Sequence, residues 1–449
     1  MSAMQNHPTV QAFYEQQTSD KPISEGNQFP LDAAWLRQLC LDAGADDVGF
    51  VALSNPSLDD QRDDLLTIFP HTQTLISLVY KMNREPVRST VRSVANREFH
   101  TAGKHMDEVA HDIVRTLEDQ GIRAVNPAMA FPMEAHHFPD KKTWLVSHKP
   151  IAEAAGLGVM GVHRNVIHPK FGNFILLGTI LLEAEVSSHS TPLTYNPCLE
   201  CKLCVAACPV GAIASDGHFN AAVCLTHNYR EFLGGFRDWA ETVADSRNKF
   251  EYQDQVTPGE DASFWQSLSY GANYKSAYCM AVCPAGEDVI GPFLADRKGF
   301  LDEMVKPLQQ KEEVIYATPN SDAIAYVEKR YPHKTLKIVN NGAQVQTVAG
   351  FVNNAAHVFQ RNQSDGLTAT YHFTFTGEEP CEVSFIIKDK TLTIQDGHQG
   401  TADVKIRANS ETWMRFLNGR TNIVWAMMRG KIRIKGPIKL LSAFGKCFG

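Results

Sequence analysis

The 449-residue chain reads as a mixed α+β protein made of several folding units. Three observations carry that reading. Up to about residue 190, helical and strand periodicities alternate, as they do in a layered α/β domain. Seven of the ten cysteines then fall between Cys198 and Cys283. From about residue 312, apolar alternation of period two dominates, broken by Asn/Gly/Glu-rich turns. The expected division is a polar, loosely ordered arm over 1–29, an α/β domain over 30–190, a cysteine-rich domain over 191–300 and a small α+β domain over 312–449.

The elements follow in order. Trp35, Leu36, Leu39 and Cys40 recur at helical spacing, with Gly44 placed to end the helix and Cys40 on its core face. Val48–Leu53 and Thr74–Tyr80 read as strands. Between Gly103 and Gly121, Met106, Val109, Ala110, Ile113, Val114 and Leu117 form an amphipathic stripe. Phe174–Leu182 is too short to span a bilayer and suits a buried strand. The charged, aromatic stretch between Cys224 and Ser276 reads as an insertion that folds over the cysteines or faces a partner. Beyond it, Ser321–Tyr331 reads as helix, and Thr368–Phe375, Glu382–Ile387, Thr391–Ile394 and Ala402–Arg407 as strands. Ser410 is the expected N-cap of a helix closed by Gly419, followed by a strand over Lys431–Gly436 and an apolar helical tail over Ile438–Phe448.

Composition narrows the function. Hydrophobic residues make up 43% and charged residues 21%, a globular balance, and the net charge of −7 argues against a nucleic-acid partner. No apolar run reaches transmembrane length, and the first residues show neither an apolar signal core nor twin arginines. A cytoplasmic location is expected, with cysteines serving as ligands and not as disulfides.

The phrase Cys198-x2-Cys201-x2-Cys204-x3-Cys208-Pro209 has the spacing of the bacterial ferredoxin run, which grips a [4Fe–4S] cluster. Structural zinc sites pair two Cys-x2–4-Cys elements and call for neither the third cysteine nor the Cys-Pro. In two-cluster proteins the fourth cysteine of such a run serves the other cluster. Cluster I is then Cys198, Cys201, Cys204 and Cys283, a [4Fe–4S] centre. Cluster II takes Cys208, Cys224 and Cys279. A full second motif would carry a cysteine where Ser276 stands. Cluster II is therefore a [3Fe–4S] centre, or a [4Fe–4S] centre with Ser276 or another oxygen or nitrogen ligand on its fourth iron.

The stretch from Ser147 to Arg164 contains Gly156, Gly158, Gly161 and His163. Together with Pro169–Gly172, Leu177–Leu182 and the cysteine segment, it resembles the epoxyqueuosine reductase and reductive dehalogenase superfamily over about residues 30–300. That resemblance implies a nitroreductase-like α/β domain holding a base-off cobalamin, followed by a ferredoxin-like double-cluster domain with one cluster near the cobalt. Gly156, Gly158 and Gly161 would let the backbone approach the cofactor without a Cβ in the way, the alternative being a tight turn with no ligand. The sequence departs from the family where an acidic proton donor is usual: Leu145–Pro150 has no carboxylate. His148 is the candidate replacement. His163 stands where a lysine or arginine is usual and is counted with the cofactor-binding residues. His136 and His137 are lesser ligand candidates.

Residues 312–449 are similar to a sterol-carrier-protein-2-like domain at Thr368–Gly377, Thr391–Ile394, Ser410–Trp413, Gly419 and Arg429–Gly436. The resemblance implies a sterol-carrier-like α+β sheet covering an apolar tunnel. Trp413, Phe416, Trp425, Met427, Met428, Leu440 and Phe444 would line it, or else form an ordinary filled core.

The leading expectation is an iron–sulfur oxidoreductase. Electrons would enter from a reduced ferredoxin or flavoprotein and pass through cluster II and then cluster I. They would end on cobalamin or on a directly bound apolar substrate, with a lipid or other apolar molecule in the C-terminal domain. Two further readings stand beside it. One is a non-catalytic ferredoxin-like electron-transfer or redox-sensing protein. The other is a lipid carrier stapled by its clusters.

Overall fold

The structure is a computed structural model, and it describes residues 7–18, 30–137, 142–342 and 344–448. Within the expected N-terminal arm, Pro8–Thr18 form a helix, α1. Proline is well suited to its first position, and Gln, Ala and Glu sustain it. The rest of that arm lies outside the described residues.

The α/β domain contains α2 (Ala33–Asp42), β1 (Asp47–Ala52), α3 (Arg62–Ile68), β2 (Thr74–Lys81), α4 (Arg84–Arg88), α5 (Arg92–Asp119), β3 (Ala124–Val125), α6 (His148–Ala154), the short hairpin β4 (Val159–Met160) and β5 (Val166–Ile167), and β6 (Ile175–Leu182). The sheet order is β1-β2-β6-β3, every pair antiparallel. Ile76, Leu78 and Ile180 face a core shared with α2 and α5. Leu75, Val79 and Leu181 face a second core shared with α3 and α6. Both faces are covered, so these strands read as unbroken apolar runs even though the sheet is antiparallel. Helix α5 starts at Arg92, well before the stripe that announced it. Its first turns bury Ala95, Phe99 and Ala102 against Phe174 and Val289, so part of their cover comes from the distant cysteine-rich segment.

That segment supplies α7 (Leu203–Ala207), α8 (Ala221–Asn228), α9 (Gly234–Asp245), α10 (Lys249–Gln255), α11 (Pro258–Tyr270), α12 (Tyr278–Ala281), α13 (Gly291–Ala295), α14 (Arg297–Phe300) and α15 (Lys306–Gln310). Two short cysteine-bearing helices repeat one design. Lys202 (φ 53°) precedes α7 and Ala277 (φ 55°) precedes α12, both left-handed. The repeat aligns Cys201 with Ser276, Cys204 with Cys279 and Cys208 with Cys283. The insertion folds as α9–α11, with Trp239 stacked on Phe264 at 5.1 Å and a capping box of Thr257 and Glu260 opening α11.

Residues 312–338 had been expected within the C-terminal domain. They instead form β7 (Val314–Ala317), α16 (Asp322–Arg330) and β8 (Thr335–Ile338), and the two strands pair in parallel. Ile315, Ala317, Ala323 and Val327 share a core with Cys204, Cys208 and Ile213, so this unit belongs with the cysteine-rich segment.

The C-terminal domain proper comprises α17 (Val348–Val358), β9 (Ala369–Thr376), β10 (Cys381–Lys388), β11 (Thr391–Asp396), β12 (Val404–Asn409), α18 (Ser410–Leu417), α19 (Ile423–Met428), β13 (Ile432–Lys435) and α20 (Ile438–Lys446). Its sheet order is β11-β10-β9-β12-β13, with only β9 and β12 parallel. Asn409, not Ser410, caps α18: its side chain accepts the Thr412 N–H at 3.1 Å. The core is densely aromatic. The Phe373 ring lies 5.1 Å from Phe385, and 5.6 Å from both Trp413 and Phe444. Trp413 and Phe444 are thus filled core, with Phe416 and Leu440 packed at its edge. Trp425, Met427 and Met428, expected to line a tunnel, point outward and are exposed. Among the described residues, no helix is long and apolar enough to cross a membrane.

Candidate active site: two cysteine-lined cavities

The seven clustered cysteines divide between two cavities. The smaller, of about 330 Å³, is lined by Cys198, Cys201, Cys204 and Cys283, together with Val162, His163 and Ile167. The larger, of about 1000 Å³, is lined by Cys208, Cys224 and Cys279, with Ser276 beside them. Helix α7 and the turn before it present the first set, Cys283 joining from the end of α12. Cys208 points the other way because its backbone leaves α7 extended (φ −62°, ψ 117°).

Cys204, Cys208 and Cys283 are buried, and Cys198, Cys201, Cys224 and Cys279 are half-buried. Burial pushes Cys204 and Cys279 up to about 12, and drives Cys201, Cys208, Cys224 and Cys283 in the same direction. Backbone N–H groups from Val210 to Ile213 aim at Cys208 and oppose that rise. Lys149 is the cation nearest Cys224 and Cys279; burial lowers its own ammonium despite those neighbours. Seven soft sulfur donors in two groups, short of compensating charge, fit iron–sulfur coordination. Among the described residues, no three His, Cys, Asp or Glu side chains converge as a single-ion site.

Ser276 is buried, its hydroxyl 3.1 Å and its N–H 2.9 Å from Asn228 Oδ1. The hydroxyl donates its proton there and keeps oxygen lone pairs beside Cys279.

The larger cavity extends from these cysteines to Phe99, His100, Gly103, Lys104 and Asp107 of α5, to Met129–Phe131, to Ser147–Pro150, and to Tyr270–Ala272 and Tyr274 around the end of α11. Its volume is at the top of the range for small-molecule pockets, enough for a flat macrocycle or a bulky substrate.

His148 lines this chamber, with Nδ1 2.8 Å from Thr179 Oγ1. Burial drives it down to about 4 against hydrogen bonds to the backbone of Ala128 and Met129. At neutral pH it is an uncharged anchor for the 128–129 loop, poorly suited to donate a proton. His163 lines both cavities, and burial, aided by Lys149, lowers it to about 4 as well. Its Nδ1 accepts the Asn165 N–H at 3.1 Å, and its Nε2 lies 3.3 Å from Asn173 Nδ2. His136 is exposed in a short turn, and the His137 side chain lies outside the described residues.

The glycines serve a different purpose from the one expected. A Cβ at Gly156 (φ +70°) would sit 2.5 Å from the Thr191 carbonyl oxygen, and one at Gly158 2.5 Å from Val166 Cγ1. At Gly161 it would meet Ile167 Cδ1 at 2.8 Å. The space is filled by the chain itself: Gly158 and Gly161 allow the β4–β5 hairpin to close, and Gly156 lets the backbone pass Thr191. Met160, His163, Arg164, Asn165 and Val166 of that hairpin face the chamber in their place.

Asp107 is the residue that sequence reasoning missed. Its Oδ1 accepts the Met129 N–H at 3.2 Å, and burial raises its carboxyl. The available signal was positional: 99, 100, 103, 104 and 107 share one face of α5.

Two regions of the chain resemble known proteins. Residues 355–449 match the SCP-2 sterol transfer family. An epoxyqueuosine reductase of Gloeobacter violaceus is 28% identical over 177 residues, 38% of this chain and 50% of that protein. One from Prochlorococcus marinus is 39% identical over 83 residues, covering 18% and 26%. The chain thus spans half or less of the length of these curated relatives. Solved structures overlap loosely. Epoxyqueuosine reductase from Streptococcus thermophilus gives a TM-score of 0.34 at 15% identity, over 61% of this chain and 75% of that one. A reductive dehalogenase gives 0.40 at 16%, over 61% and 35%. The chain therefore joins a region similar to epoxyqueuosine reductases to a C-terminal SCP2 domain.

Proposed function

We propose that this protein is an iron–sulfur reductase that delivers electrons to a molecule held in the larger cavity. The observation that carries the proposal is the division of the cysteines: one set of four thiols in a pocket of about 330 Å³, one set of three opening into a chamber of about 1000 Å³. Cys198, Cys201, Cys204 and Cys283 would hold a [4Fe–4S] cluster. Cys208, Cys224 and Cys279 would hold the second cluster, with Ser276 available to a fourth iron. The order of transfer is the reverse of the one expected from sequence, because the Cys208 set is the one that lines the chamber. A reduced ferredoxin or flavoprotein would feed the Cys198 set, in the reducing cytoplasm where thiols stay available as ligands.

The chamber's size and its mixed apolar and polar lining suit a cobalamin or a directly bound apolar substrate. A bound cobalamin would supply a strongly reducing metal centre there. The chain's own part is to bind, to orient and to provide a proton. Asp107, held by the Met129 N–H, keeps its proton to higher pH than an exposed aspartate and is the proton source the chamber offers. His148 grips the same loop from the other side and fixes it relative to Asp107. The Tyr270–Tyr274 stretch closes the chamber against α5, and the Gly271 backbone meets the His100 ring so closely that a Cβ would sit 2.9 Å from it. The SCP2 domain would hold an apolar molecule, so the substrate is sought among lipid-like or aromatic compounds.

Anaerobically purified protein supplied with cobalamin tests this through iron and cobalt content and EPR before and after dithionite. About eight irons, or seven with a [3Fe–4S] signal, together with one cobalt, support the cobalamin form. The same iron without cobalt leaves direct reduction of the substrate. Fewer than four irons refutes the reductase reading.

A further inference from the structure

The last 38 residues carry a charge pattern opposite to that of the rest of the chain. Residues 412–449 contain eight lysines and arginines and no aspartate or glutamate, which leaves −15 on the remainder. Arg420, Arg429, Lys431, Arg433, Lys435 and Lys439 are all exposed. The one ion pair made by a basic residue of this segment, among the described residues, is Arg415 with Glu411 at 3.9 Å. Interleaved with these cations are large apolar side chains in water: Val424 is 60% exposed, Trp425 44%, Met428 77% and Ile438 82%. They belong to α19 and the start of α20, which flank β13, the edge strand of the sheet. The Arg429 guanidinium lies 3.5 Å from the centre of the Trp425 ring.

A charged edge strand guards a sheet against pairing, which accounts for Arg433 and Lys435. It does not account for a tryptophan, a methionine and an isoleucine in water beside them. Unpaired cations next to exposed Trp, Met and Ile are the chemistry of a surface that settles at the headgroup level of an anionic bilayer. We infer that the α19–β13–α20 edge docks the SCP2 domain on an anionic lipid surface. The acidic remainder of the chain is repelled by that surface, so docking is oriented with the α19–β13–α20 edge against the lipid. The inference is independent of the clusters.

The test is sedimentation of the full chain with vesicles of phosphatidylcholine alone and of equal parts phosphatidylcholine and phosphatidylserine, at low and high salt. The expected result is binding to the phosphatidylserine vesicles that is at least about tenfold weaker without phosphatidylserine and falls with salt. Arg429→Ala with Lys431→Ala should weaken it about 25-fold, at about fivefold per cation. Trp425→Ser with Met428→Ser should weaken it at both salt concentrations. Wild-type protein that ignores both vesicles, or variants that bind as wild type does, overturn the inference. So does a concentration-dependent dimer, abolished by the Trp425/Met428 variant, in protein that binds no vesicles. Circular dichroism checks the folding of each variant, and the wild-type comparison of lipids and salts decides alone if a variant misfolds.

Discussion

Gln360 joins the SCP2 domain to the helix that carries Cys224, and replacing it should loosen that helix. The residue is fully buried. Its Oε1 accepts the Asn220 amide at 3.3 Å and the Asp322 backbone N–H at 2.9 Å. Asn220 is the N-cap of α8, its Oδ1 accepting the Val223 N–H at 3.1 Å. Gln360→Met keeps the volume and removes the acceptor. The buried Asn220 amide is left unpaired at about 1–3 kcal/mol and the partly buried Asp322 N–H at about 1, so local destabilisation of roughly 2–4 kcal/mol is expected. Hydrogen exchange is the suitable assay, because a chain of several domains does not unfold in one step. Amides of residues 221–228 should exchange about 30- to 1000-fold faster than in wild type, while β1, β2 and β6 stay unchanged. Unchanged exchange in α8, with α17 still protected, would refute the idea that this amide transmits the state of one domain to the other.

Other expectations concern the cavities. Cys279→Ala should lose the second cluster and keep the first, reducing iron to about half, whereas Ser276→Cys should abolish any [3Fe–4S] EPR signal by completing a four-thiol set. Asp107→Asn should lower turnover with a chemical reductant by about 10²–10⁴-fold and remove the fall in rate at high pH, since a raised carboxyl stops donating as pH rises through its folded value; an unchanged pH profile assigns the proton elsewhere. Glu231 is buried and paired with Lys275, and it accepts from Ser267 at 2.8 Å and Asn273 Nδ2 at 3.0 Å. Burial works to raise its carboxyl, but Lys275 and the hydrogen bonds outweigh burial and hold it low. Its contribution is therefore present above the ordinary glutamate value and lost as pH falls through the folded one. Glu231→Gln should destabilise α11 and the chamber wall by about 3–5 kcal/mol at neutral pH, read by hydrogen exchange of the α11 amides, and by much less in acid.

Some of this was legible in the sequence and some was not, for identifiable reasons. The ferredoxin-type spacing of the cysteines suggested two sets of thiols, and the same sets line the two cavities. Strands such as Thr74–Lys81 announced themselves because both faces are buried. The glycines misled, because a Cβ-free backbone serves a closed hairpin as well as a cofactor, and Gly158 is filled by Val166. The first turns of α5 and the carboxylate of Asp107 were hidden, since their burial comes from segments far along the chain. The β7–α16–β8 unit was assigned to the wrong neighbour because local periodicity says nothing about which core a strand joins. Trp425 and Met428 looked like lining because a short helix with apolar residues on every face does not reveal which of them is turned outward.

The crossing of the cysteine sets has a consequence for how such a protein can change. Cys208 faces the cavity of Cys279, and Cys283 faces that of Cys204, so the chain between the two runs is pinned at both ends. What lies between Cys224 and Ser276 is an excursion whose length is nearly free, each doubling of a loop costing only about 0.6 kcal/mol. Yet that excursion supplies Tyr270, Gly271, Ala272 and Tyr274 to the chamber wall. The wall can therefore be redrawn, residue by residue or by insertion, while the sulfur scaffold keeps its geometry. The shape of the chamber and the placement of the cysteines rest on parts of the chain that can vary independently.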